Sequence, residues 1–272
     1  GVLFFLVGVG GALAIVPLNA LIQFHAPSAE SGSILAGNNL IQNVAMFSAL
    51  VMTVASAFAE VPARSILVVL ALAAAVGALI ALVRLPEAFL RLLVRLLLKR
   101  RYRLDIRGFD QIPRDGRGVL LLGNHVSWLD WALVQIACPR HVHFVMERVI
   151  YERWYLSWLL RLYRVIPISS GSSRDAMTQV ARLLEAGEVV CIFPEGAISR
   201  SGQLGPFKRG FERAAAQVVS DADVIILPFY LRGLWGSRFS RSSARMRSAR
   251  RAGWKRDVTL AFGSPLPLNT DA

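Results

Sequence analysis

The chain has 272 residues, of which 54% are hydrophobic, and it carries a formal charge of +13 at pH 7 with a mean hydropathy of +0.48. This apolar fraction exceeds the roughly 45–50% of soluble domains, which argues against a wholly soluble chain. The two cysteines, Cys138 and Cys191, lie far apart in apolar runs. Their number and spacing exclude a disulfide framework and a cysteine metal cluster, and predict buried free thiols.

Charge is distributed unevenly along the chain. Residues 1–83 hold only Glu30, Glu60 and Arg64, so residues 84–272 carry the other 30 basic and 16 acidic residues, a net charge of +14. This asymmetry predicts two regions, one of which meets an anionic surface. Nucleic acid and anionic lipid are both candidates for that surface, and the apolar neighbouring region favours lipid.

Three apolar segments, residues 1–24, 33–59 and 65–83, are predicted to cross a membrane, because ~20 apolar residues at ~1.5 Å each span a ~30 Å hydrocarbon core. The second segment contains four amide side chains, which would be costly against lipid. We expect them to form hydrogen bonds between helices; the alternative is that they line a transport path. These amides are Asn38, Asn39, Gln42 and Asn43.

Residues 84–103 are predicted to form a basic amphipathic linker. Leucines and valines recur at helical spacing over residues 86–100 between arginines and lysines. This pattern is typical of a helix that lies among lipid headgroups. Basic residues just beyond a span mark the cytoplasmic side. We therefore expect a multi-pass inner-membrane protein with residues 104–272 as a domain in the cytoplasm.

Residues 104–272 alternate between apolar runs typical of buried strands and amphipathic helical patterns. This alternation predicts an α/β fold with a mainly parallel sheet and flanking helices. Functional sites in such sheets gather at the carboxyl ends of the strands. The predicted strands are 118–123, 142–146, 164–168, 188–193, 224–231 and 257–262, and the predicted helices are about 127–138, 148–163, 174–187 and 208–220.

The stretch from Asn124 to Asp130 follows the first of these strands and offers a base with its partner. A hydroxyl needs a general base to attack a thioester, and neutral histidine is the usual choice. A spacing of five between His125 and Asp130 suits such a pair if the histidine lies in a loop and the aspartate in the first helical turn. Ser127 is then the predicted N-cap. The alternative is a capping box, in which Asp130 only satisfies backbone donors.

A second polar stretch follows the predicted strand 188–193. Pro194, Glu195 and Gly196 form a turn in which the glycine would let a substrate approach the backbone. Ser199 and Arg200 then offer a hydroxyl and a guanidinium suited to a phosphate. Lys208 and Arg209 add positive charge before the next predicted helix. The alternative is an ordinary turn carboxylate followed by solvated loop charges.

Asn-His-x4-Asp followed by Phe-Pro-Glu-Gly resembles the glycerolipid acyltransferase family, which includes lysophosphatidate acyltransferases, over about residues 104–265. The resemblance implies that His125 is the general base, that Asp130 orients it, and that Glu195 and Gly196 help hold a glycerol-phosphate acceptor. It implies acyl-CoA or acyl carrier protein as the acyl donor, with no metal, cofactor or acyl-enzyme. The matching blocks are Asn124 to Asp130, Arg164 to Ile168, Phe193 to Gly196 and Ile225 to Pro228.

One departure from the family pattern bears on the acceptor. Lysophosphatidate enzymes often continue Glu-Gly-Thr-Arg-Ser, whereas this chain has Ala197-Ile198-Ser199 after Gly196. The missing arginine weakens the case for a bare phosphomonoester. The pattern is more similar to 2-acylglycerophosphoethanolamine acyltransferases, some of which are fused behind a lysophospholipid transporter.

Residues 1–83 resemble the last three helices of a major-facilitator transporter of that kind. Three spans are too few for a transporter and residue 1 is not Met, so we expect a piece of a longer chain. Two other functions remain open: a lysophosphatidate acyltransferase, and a transporter whose acyltransferase-like module is regulatory. A lipid hydrolase is disfavoured because the sequence has no Gly-x-Ser-x-Gly elbow.

Two further stretches are candidates for contact with an anionic membrane. Residues 148–163 mix aromatic and basic side chains, as in an interfacial belt, although packing in the core explains the aromatics equally well. Residues 236–256 hold eight basic residues and no acid. Such a run is usually a solvated loop, and it also suits anionic lipid or an acidic carrier protein. Nucleic-acid binding is disfavoured because no recognisable module accompanies the basic run.

Overall fold

The chain forms two compact units, residues 1–90 and 91–272, in a computed structural model. The division falls within the segment 84–103 that the sequence predicts as a linker. The residues that the structure describes are 1–26, 30–84, 86–113, 115–169, 171, 173–219, 222–245 and 255–268.

The first unit consists of three long helices, α1 (Val2–His25), α2 (Ser31–Phe58) and α3 (Ala63–Arg84). Two stretches of the described residues are long and apolar enough to cross a membrane, Ser31–Phe58 and Ala63–Ile80. The predicted span at residues 1–24 is not confirmed; the apolar stretch found there among the described residues is Phe4–Leu13. Membrane association is therefore supported, and a count of three spans is not.

Amide side chains join α1 to α2. Asn19 Oδ1 accepts hydrogen bonds from Asn38 Nδ2 at 3.1 Å and from Gln42 Nε2 at 3.2 Å. These are hydrogen bonds between helices, as expected for two of the four amides. Asn39 and Asn43 are exposed, as is most of the α2 surface.

The second unit is built on one sheet with strand order β1-β7-β6-β2-β5-β3-β4, and β8 pairs with β6. The central strands pair in parallel, while β7 and β8 run antiparallel to β6. The predicted mainly parallel sheet is confirmed. The strands are β1 (Tyr102–Arg107), β2 (Gly118–Gly123), β3 (Val142–Glu147), β4 (Ile166–Ile168), β5 (Val189–Ile192), β6 (Val224–Arg232), β7 (Arg256–Phe262) and β8 (Leu266–Pro267).

Strand β1 is absent from the sequence prediction. Its residues alternate apolar and charged side chains, and among them Tyr102 alone is buried. The preceding helix α4 (Pro86–Arg101) ends in three basic residues, so the charges of β1 look like a continuation of the linker. Parallel pairing with β7 makes this segment a strand.

The helices of the second unit are shorter than predicted. The stretch 148–163 is two helices, because Glu152 and Arg153 break it and Arg153 has an extended backbone. The stretch 208–220 is helical only over residues 210–215. The helices are α5 (Asp130–Ala137), α6 (Arg148–Tyr151), α7 (Trp154–Leu162), α8 (Ser173–Glu185) and α9 (Gly210–Ala215).

The register of the sheet brings the two polar stretches together. β2 and β5 are adjacent and parallel, with Leu122 opposite Ile192. The residues that follow them, from Asn124 and from Phe193, therefore leave the sheet side by side at its carboxyl edge. A buried apolar cluster beneath this edge, which includes Leu120, Val180 and Val190, holds both strands in place.

Both cysteines are buried in this core and are predicted to be unreactive in the folded protein. Cys138 is 1% exposed and Cys191 is fully buried. Burial raises the pKa of the Cys138 thiol to about 11 and raises the pKa of Cys191 well above its ordinary value. Because the thiolate is the reactive form, neither thiol should be alkylated by N-ethylmaleimide at pH 7. Raising the pH to about 9 should accelerate labelling only after unfolding, where the ordinary pKa is ~8.5. Mass spectrometry of native and unfolded protein measures this, and labelling of the native protein would contradict the burial.

Candidate active site

His125 and Asp130 form a direct pair at the carboxyl edge of β2. The imidazole Nδ1 lies 2.8 Å from Oδ2 of Asp130, and the carboxylate side chain is fully buried while the imidazole is 22% exposed. The same Oδ2 accepts hydrogen bonds from the backbone N–H groups of Val126 at 2.7 Å and Ser127 at 2.9 Å. One carboxylate oxygen therefore fixes the loop backbone and the ring together.

This geometry sets the chemistry of the imidazole. A carboxylate only accepts hydrogen bonds, so Nδ1 of a neutral His125 carries the proton and Nε2 carries the lone pair. Among the residues that the structure describes, none forms a hydrogen bond with this Nε2. A partly exposed imidazole with a buried carboxylate on Nδ1 and an open Nε2 is the arrangement of a general base.

The helix that supplies Asp130 begins one turn later than predicted. α5 starts at Asp130, with Leu129 in the N-cap position and no side-chain cap. Ser127 is therefore not the N-cap; its Oγ accepts a hydrogen bond from the Leu129 N–H at 3.2 Å. The carboxylate-to-backbone half of the capping box is present in addition to the pair with histidine, so the two sequence alternatives coexist.

Phe193 covers one face of the histidine ring. The two ring centroids are 4.2 Å apart and the ring planes differ by 15°. Phe193 directly follows β5, and its ring also approaches that of Phe229 in β6 edge-on. Sequence reasoning used Phe193 only as part of a motif. Its stacking role depends on the neighbouring strands and has no local signal.

Glu195 connects the two polar stretches. Its Oε1 accepts a hydrogen bond from the His125 N–H at 2.8 Å, and its Oε2 accepts one from the Gly205 N–H at 2.9 Å. A third link runs from the Ser199 N–H to the His125 carbonyl at 2.7 Å. The structure thus brings Glu195 beside the base, with both carboxylate oxygens engaged by backbone donors.

The side chain of Lys208 lies against Gly196, the residue that follows Glu195. Gly196 has φ +66°, and a Cβ there would lie 2.7 Å from Nζ of Lys208. The Lys208 N–H also donates to the Pro194 carbonyl at 2.8 Å. The ammonium therefore lies over exposed backbone next to the loop that carries His125, where it can meet an anion.

The remaining predicted phosphate ligands are placed differently. Ser199 Oγ donates to the Gln203 carbonyl at 2.8 Å and accepts from the Gly202 N–H at 3.0 Å, so it closes its own loop. Arg200 is exposed. Ile198, which stands where the family motif has arginine, is only 5% exposed.

Asn124 and Pro228 support the site from neighbouring strands. The Asn124 side-chain amide makes two hydrogen bonds with the backbone of Leu231. Its Nδ2 donates to the Leu231 carbonyl at 2.9 Å, and its Oδ1 accepts from the Leu231 N–H at 2.7 Å. This pairing extends the contact between β2 and β6 one step beyond the sheet register. Pro228 of β6 lies opposite Leu122 of β2, and its carbonyl accepts a hydrogen bond from the Gly263 N–H at 2.8 Å.

The start of the basic stretch 236–256 packs against the loop of residues 124–129 that carries His125, here called the histidine loop. The Phe239 carbonyl accepts hydrogen bonds from the Trp128 N–H at 3.0 Å and the Ser127 Oγ at 3.3 Å. The Arg241 guanidinium carbon lies 5.9 Å from the centre of the Trp128 ring. Arg256 is not a solvated charge, because it donates to the backbone carbonyls of residues 233, 235 and 236. Residues 246–254 lie outside the described residues.

Residues 103–232 of the chain match the Acyltransferase family model. The fold is similar to the crystal structure of the 1-acyl-sn-glycerophosphate acyltransferase from Thermotoga maritima. The TM-score is 0.51 at 18% identity, covering 69% of this chain and 73% of that chain.

Curated relatives are similar to about half of the chain. A chloroplastic 1-acyl-sn-glycerol-3-phosphate acyltransferase from Brassica napus is 28% identical over 48% of this chain. An enzyme of the same name from Pseudomonas aeruginosa is 31% identical over 40%, and a lyso-ornithine lipid O-acyltransferase from Brucella abortus is 26% identical over 52%. The chain spans 38%, 42% and 51% of the length of these three relatives, respectively.

Replacing Asn124 by alanine is predicted to destabilise the second unit. The change leaves the buried N–H and carbonyl of Leu231 without their side-chain partner, at a cost of about 1–3 kcal/mol for each unsatisfied group. The melting temperature of the detergent-solubilised protein measures the loss. Gln203→Ala is the control, because that side chain is exposed and only its backbone takes part in the hydrogen bonds above. Equal melting temperatures for both variants would contradict the structural role of Asn124.

Proposed function

We propose that this protein is a membrane-associated O-acyltransferase that moves a fatty acyl group from an acyl thioester to a free hydroxyl of a lysophospholipid, in phospholipid synthesis or remodelling. The observation that carries the proposal is the buried Asp130 carboxylate on Nδ1 of the partly exposed His125. This pair lies in the segment that matches the Acyltransferase family model, and curated relatives of the chain are named as acyltransferases of 1-acyl-sn-glycerol-3-phosphate or of lyso-ornithine lipid.

In the proposed reaction, Nε2 of His125 takes the proton of the acceptor hydroxyl while the hydroxyl oxygen attacks the thioester carbonyl carbon. Collapse of the tetrahedral intermediate breaks the C–S bond, and the leaving thiolate takes the proton back from Nε2–H. Asp130 stabilises the imidazolium that exists between these two transfers. The acceptor oxygen attacks directly, so no acyl-enzyme is required.

The acceptor phosphate is proposed to lie over the Glu195–Gly196 turn. Gly196 leaves the backbone open there, and the Lys208 ammonium already rests against it. Arg200 and the loop closed by Ser199 would border the same position. The Glu195 carboxylate supports the site by holding the His125 and Gly205 backbone. This assignment gives Glu195 a positioning role and leaves charge pairing to the cations.

A lysophospholipid with an esterified phosphate, such as lysophosphatidylethanolamine, is the proposed acceptor. Ile198 is buried, so the motif position that carries arginine in many family members supplies no cation here. A phosphodiester has one negative charge and needs less compensation than a phosphomonoester. The second candidate is lysophosphatidate, which the names of the Brassica and Pseudomonas relatives favour.

Acyl-CoA and acyl carrier protein are both proposed as possible donors, because each presents a thioester beside negative charge. Arg238 and Arg241 are exposed in the basic stretch that packs against the histidine loop, and Phe239 between them contacts that loop. They would meet an anionic donor as it approaches His125.

The N-terminal helices are proposed to be the end of a transporter-like region, with the acyltransferase domain on the cytoplasmic side of the inner membrane. The hydrogen bonds of Asn19 with Asn38 and Gln42 support a polar contact between membrane helices. If the first unit moves lysophospholipid, His125→Ala should leave flipping in proteoliposomes unchanged while it stops acylation. Flipping without any acylation by the wild type would favour the transporter with a regulatory module.

Removing the proposed base is expected to lower kcat by about 10²–10⁴-fold, the usual contribution of general base catalysis. His125→Ala removes the proton acceptor, and Asp130→Asn removes the negative charge that orients and stabilises the imidazole. The measurement is acyl transfer from radiolabelled acyl-CoA or acyl carrier protein to lysophospholipid, with melting temperatures to confirm folding. Undiminished turnover by a folded His125→Ala protein would overturn the assignment.

Neutralising Lys208 is expected to raise the acceptor KM about 10–100-fold with little change in kcat, because a charge-assisted hydrogen bond contributes ~1.5–3 kcal/mol. Lys208→Met keeps the length of the side chain and removes its charge. Arg209→Met is the matched control, since it removes one charge from the neighbouring residue. Lysophosphatidylethanolamine and lysophosphatidate are compared in the same assay. A higher kcat/KM for lysophosphatidate in the wild type would select the second candidate.

A further inference from the structure

The two short helices between β3 and β4 carry large apolar side chains on the protein surface. Val149 of α6 is 69% exposed, and in α7 Trp154 is 85%, Tyr155 is 47% and Trp158 is 63% exposed. We refer to these four residues as the outer aromatic surface. Isolated exposed apolar residues are common, whereas a group of large ones on two consecutive helices indicates a binding surface.

Helix α7 is apolar on two opposite faces. Its inner face packs in the core through Leu160, which is 9% exposed. Tyr163, the residue that follows the helix, is 3% exposed, and its ring meets Trp131 edge-on at 5.8 Å. The outer face carries Trp154, Tyr155 and Trp158, at the i, i+1, i+4 spacing of a single helical face. A helix that packed only on its own sheet would carry polar residues there. Core packing therefore does not account for the outer aromatics.

Basic side chains border the outer aromatic surface. Arg148, Arg153 and Arg161 are exposed, and Arg153 donates a hydrogen bond to the Tyr155 hydroxyl at 2.8 Å. Glu147 and Glu152 are the acidic residues of the same stretch. Tryptophan, tyrosine and arginine together are the side chains that occupy the boundary between lipid tails and headgroups, where the rings lie among acyl chains and the cations among phosphates.

The topology places this surface next to the active site. β3 pairs in parallel with β5, and α6 begins directly at the carboxyl end of β3. The Pro194–Glu195 turn follows the carboxyl end of the adjacent β5. The outer aromatic surface therefore extends from the same edge of the sheet as His125.

We propose that the outer aromatic surface docks into the headgroup region of an anionic bilayer and holds the active-site edge against the lipid. The occupant is a lipid surface because bulky aromatic rings and arginines suit it together, and because the same chain carries two candidate membrane spans. The docking itself does not depend on the proposed function. Its consequence for catalysis does, since it would bring His125 to the depth at which a lysophospholipid presents its hydroxyl.

The test measures the depth of two residues in the intact protein, reconstituted in nanodiscs of phosphatidylcholine with or without phosphatidylglycerol. Trp158→Cys is labelled with the fluorophore NBD, which is selective because Cys138 and Cys191 are buried. Val149→Cys is a second, independent reporter. Val219→Cys is the matched control, because Val219 is also exposed, at 58%, but lies near the opposite edge of the sheet. Its N–H donates a hydrogen bond to the carboxylate of Glu185, the last residue of α8, and α8 leads into the amino end of β5.

The expected result is a blue shift and strong quenching by lipids doxyl-labelled near the headgroup at positions 158 and 149, and neither at position 219. Both effects should weaken without phosphatidylglycerol. Quenching by aqueous iodide at positions 158 and 149 to the same extent as at 219 would overturn the proposal. Shielding from iodide only after an acidic carrier protein is added would also overturn it, in favour of a protein partner. Self-quenching between labelled copies without lipid quenching would assign the surface to self-association.

An activity measurement separates docking from catalysis. Trp154→Ser combined with Trp158→Ser is expected to raise the KM for bilayer-embedded lysophospholipid about tenfold or more, equivalent to ~1.4 kcal/mol, and to leave turnover of a short-chain, water-soluble acceptor unchanged. Val219→Ser should change neither. Equal losses on both acceptors would overturn the docking role. Failure of acyl transfer by the wild type would reject the proposed function and leave the depth measurement intact.

Discussion

The candidate site depends on one buried oxygen atom. Oδ2 of Asp130 accepts hydrogen bonds from the His125 ring and from the backbone N–H groups of Val126 and Ser127. Three donors on one oxygen compensate the cost of burying a carboxylate. They also join ring orientation to loop shape, so the imidazole cannot rotate freely while the loop keeps its conformation. The second oxygen, Oδ1, is buried without a hydrogen bond among the described residues. The hydrogen bonds that hold this carboxylate there are therefore those of Oδ2.

Three neighbouring segments of the chain form hydrogen bonds with the same loop. Asn124 ties its start to the backbone of β6, Glu195 binds the His125 N–H from the turn after β5, and the Phe239 carbonyl binds the Trp128 N–H from behind. Each contact uses a backbone group, which would otherwise be unsatisfied near the core. A base supported in this way keeps its geometry while acceptor and donor exchange, as a preorganised site requires.

Acyl transfer to a membrane lipid must bring together a lipid acceptor and a water-soluble thioester. The outer aromatic surface and the Lys208 turn flank the site with groups suited to lipid and phosphate. The exposed arginines behind Trp128 suit an anionic donor. Because these features lie on elements that leave the same sheet edge or contact its loops, the proposed proton acceptor, acceptor-phosphate position and donor approach can coexist within a small region.

The sequence by itself determined the α/β class, most strands, the His125–Asp130 pair and the second motif at Glu195, because buried strands and strand-end motifs have local patterns. It did not reveal β1, whose alternating charges become a strand only when β7 pairs with it. It also gave no signal for Phe193 against the imidazole or for Glu195 on the His125 backbone. Those contacts join residues about 70 positions apart, and only the parallel pairing of β2 and β5 brings them together. Whether the aromatics of residues 148–163 lie inside or outside was likewise left open by their spacing. Tertiary packing decided it, because Leu160 of α7 and the following Tyr163 already fill the side of the helix that faces the core.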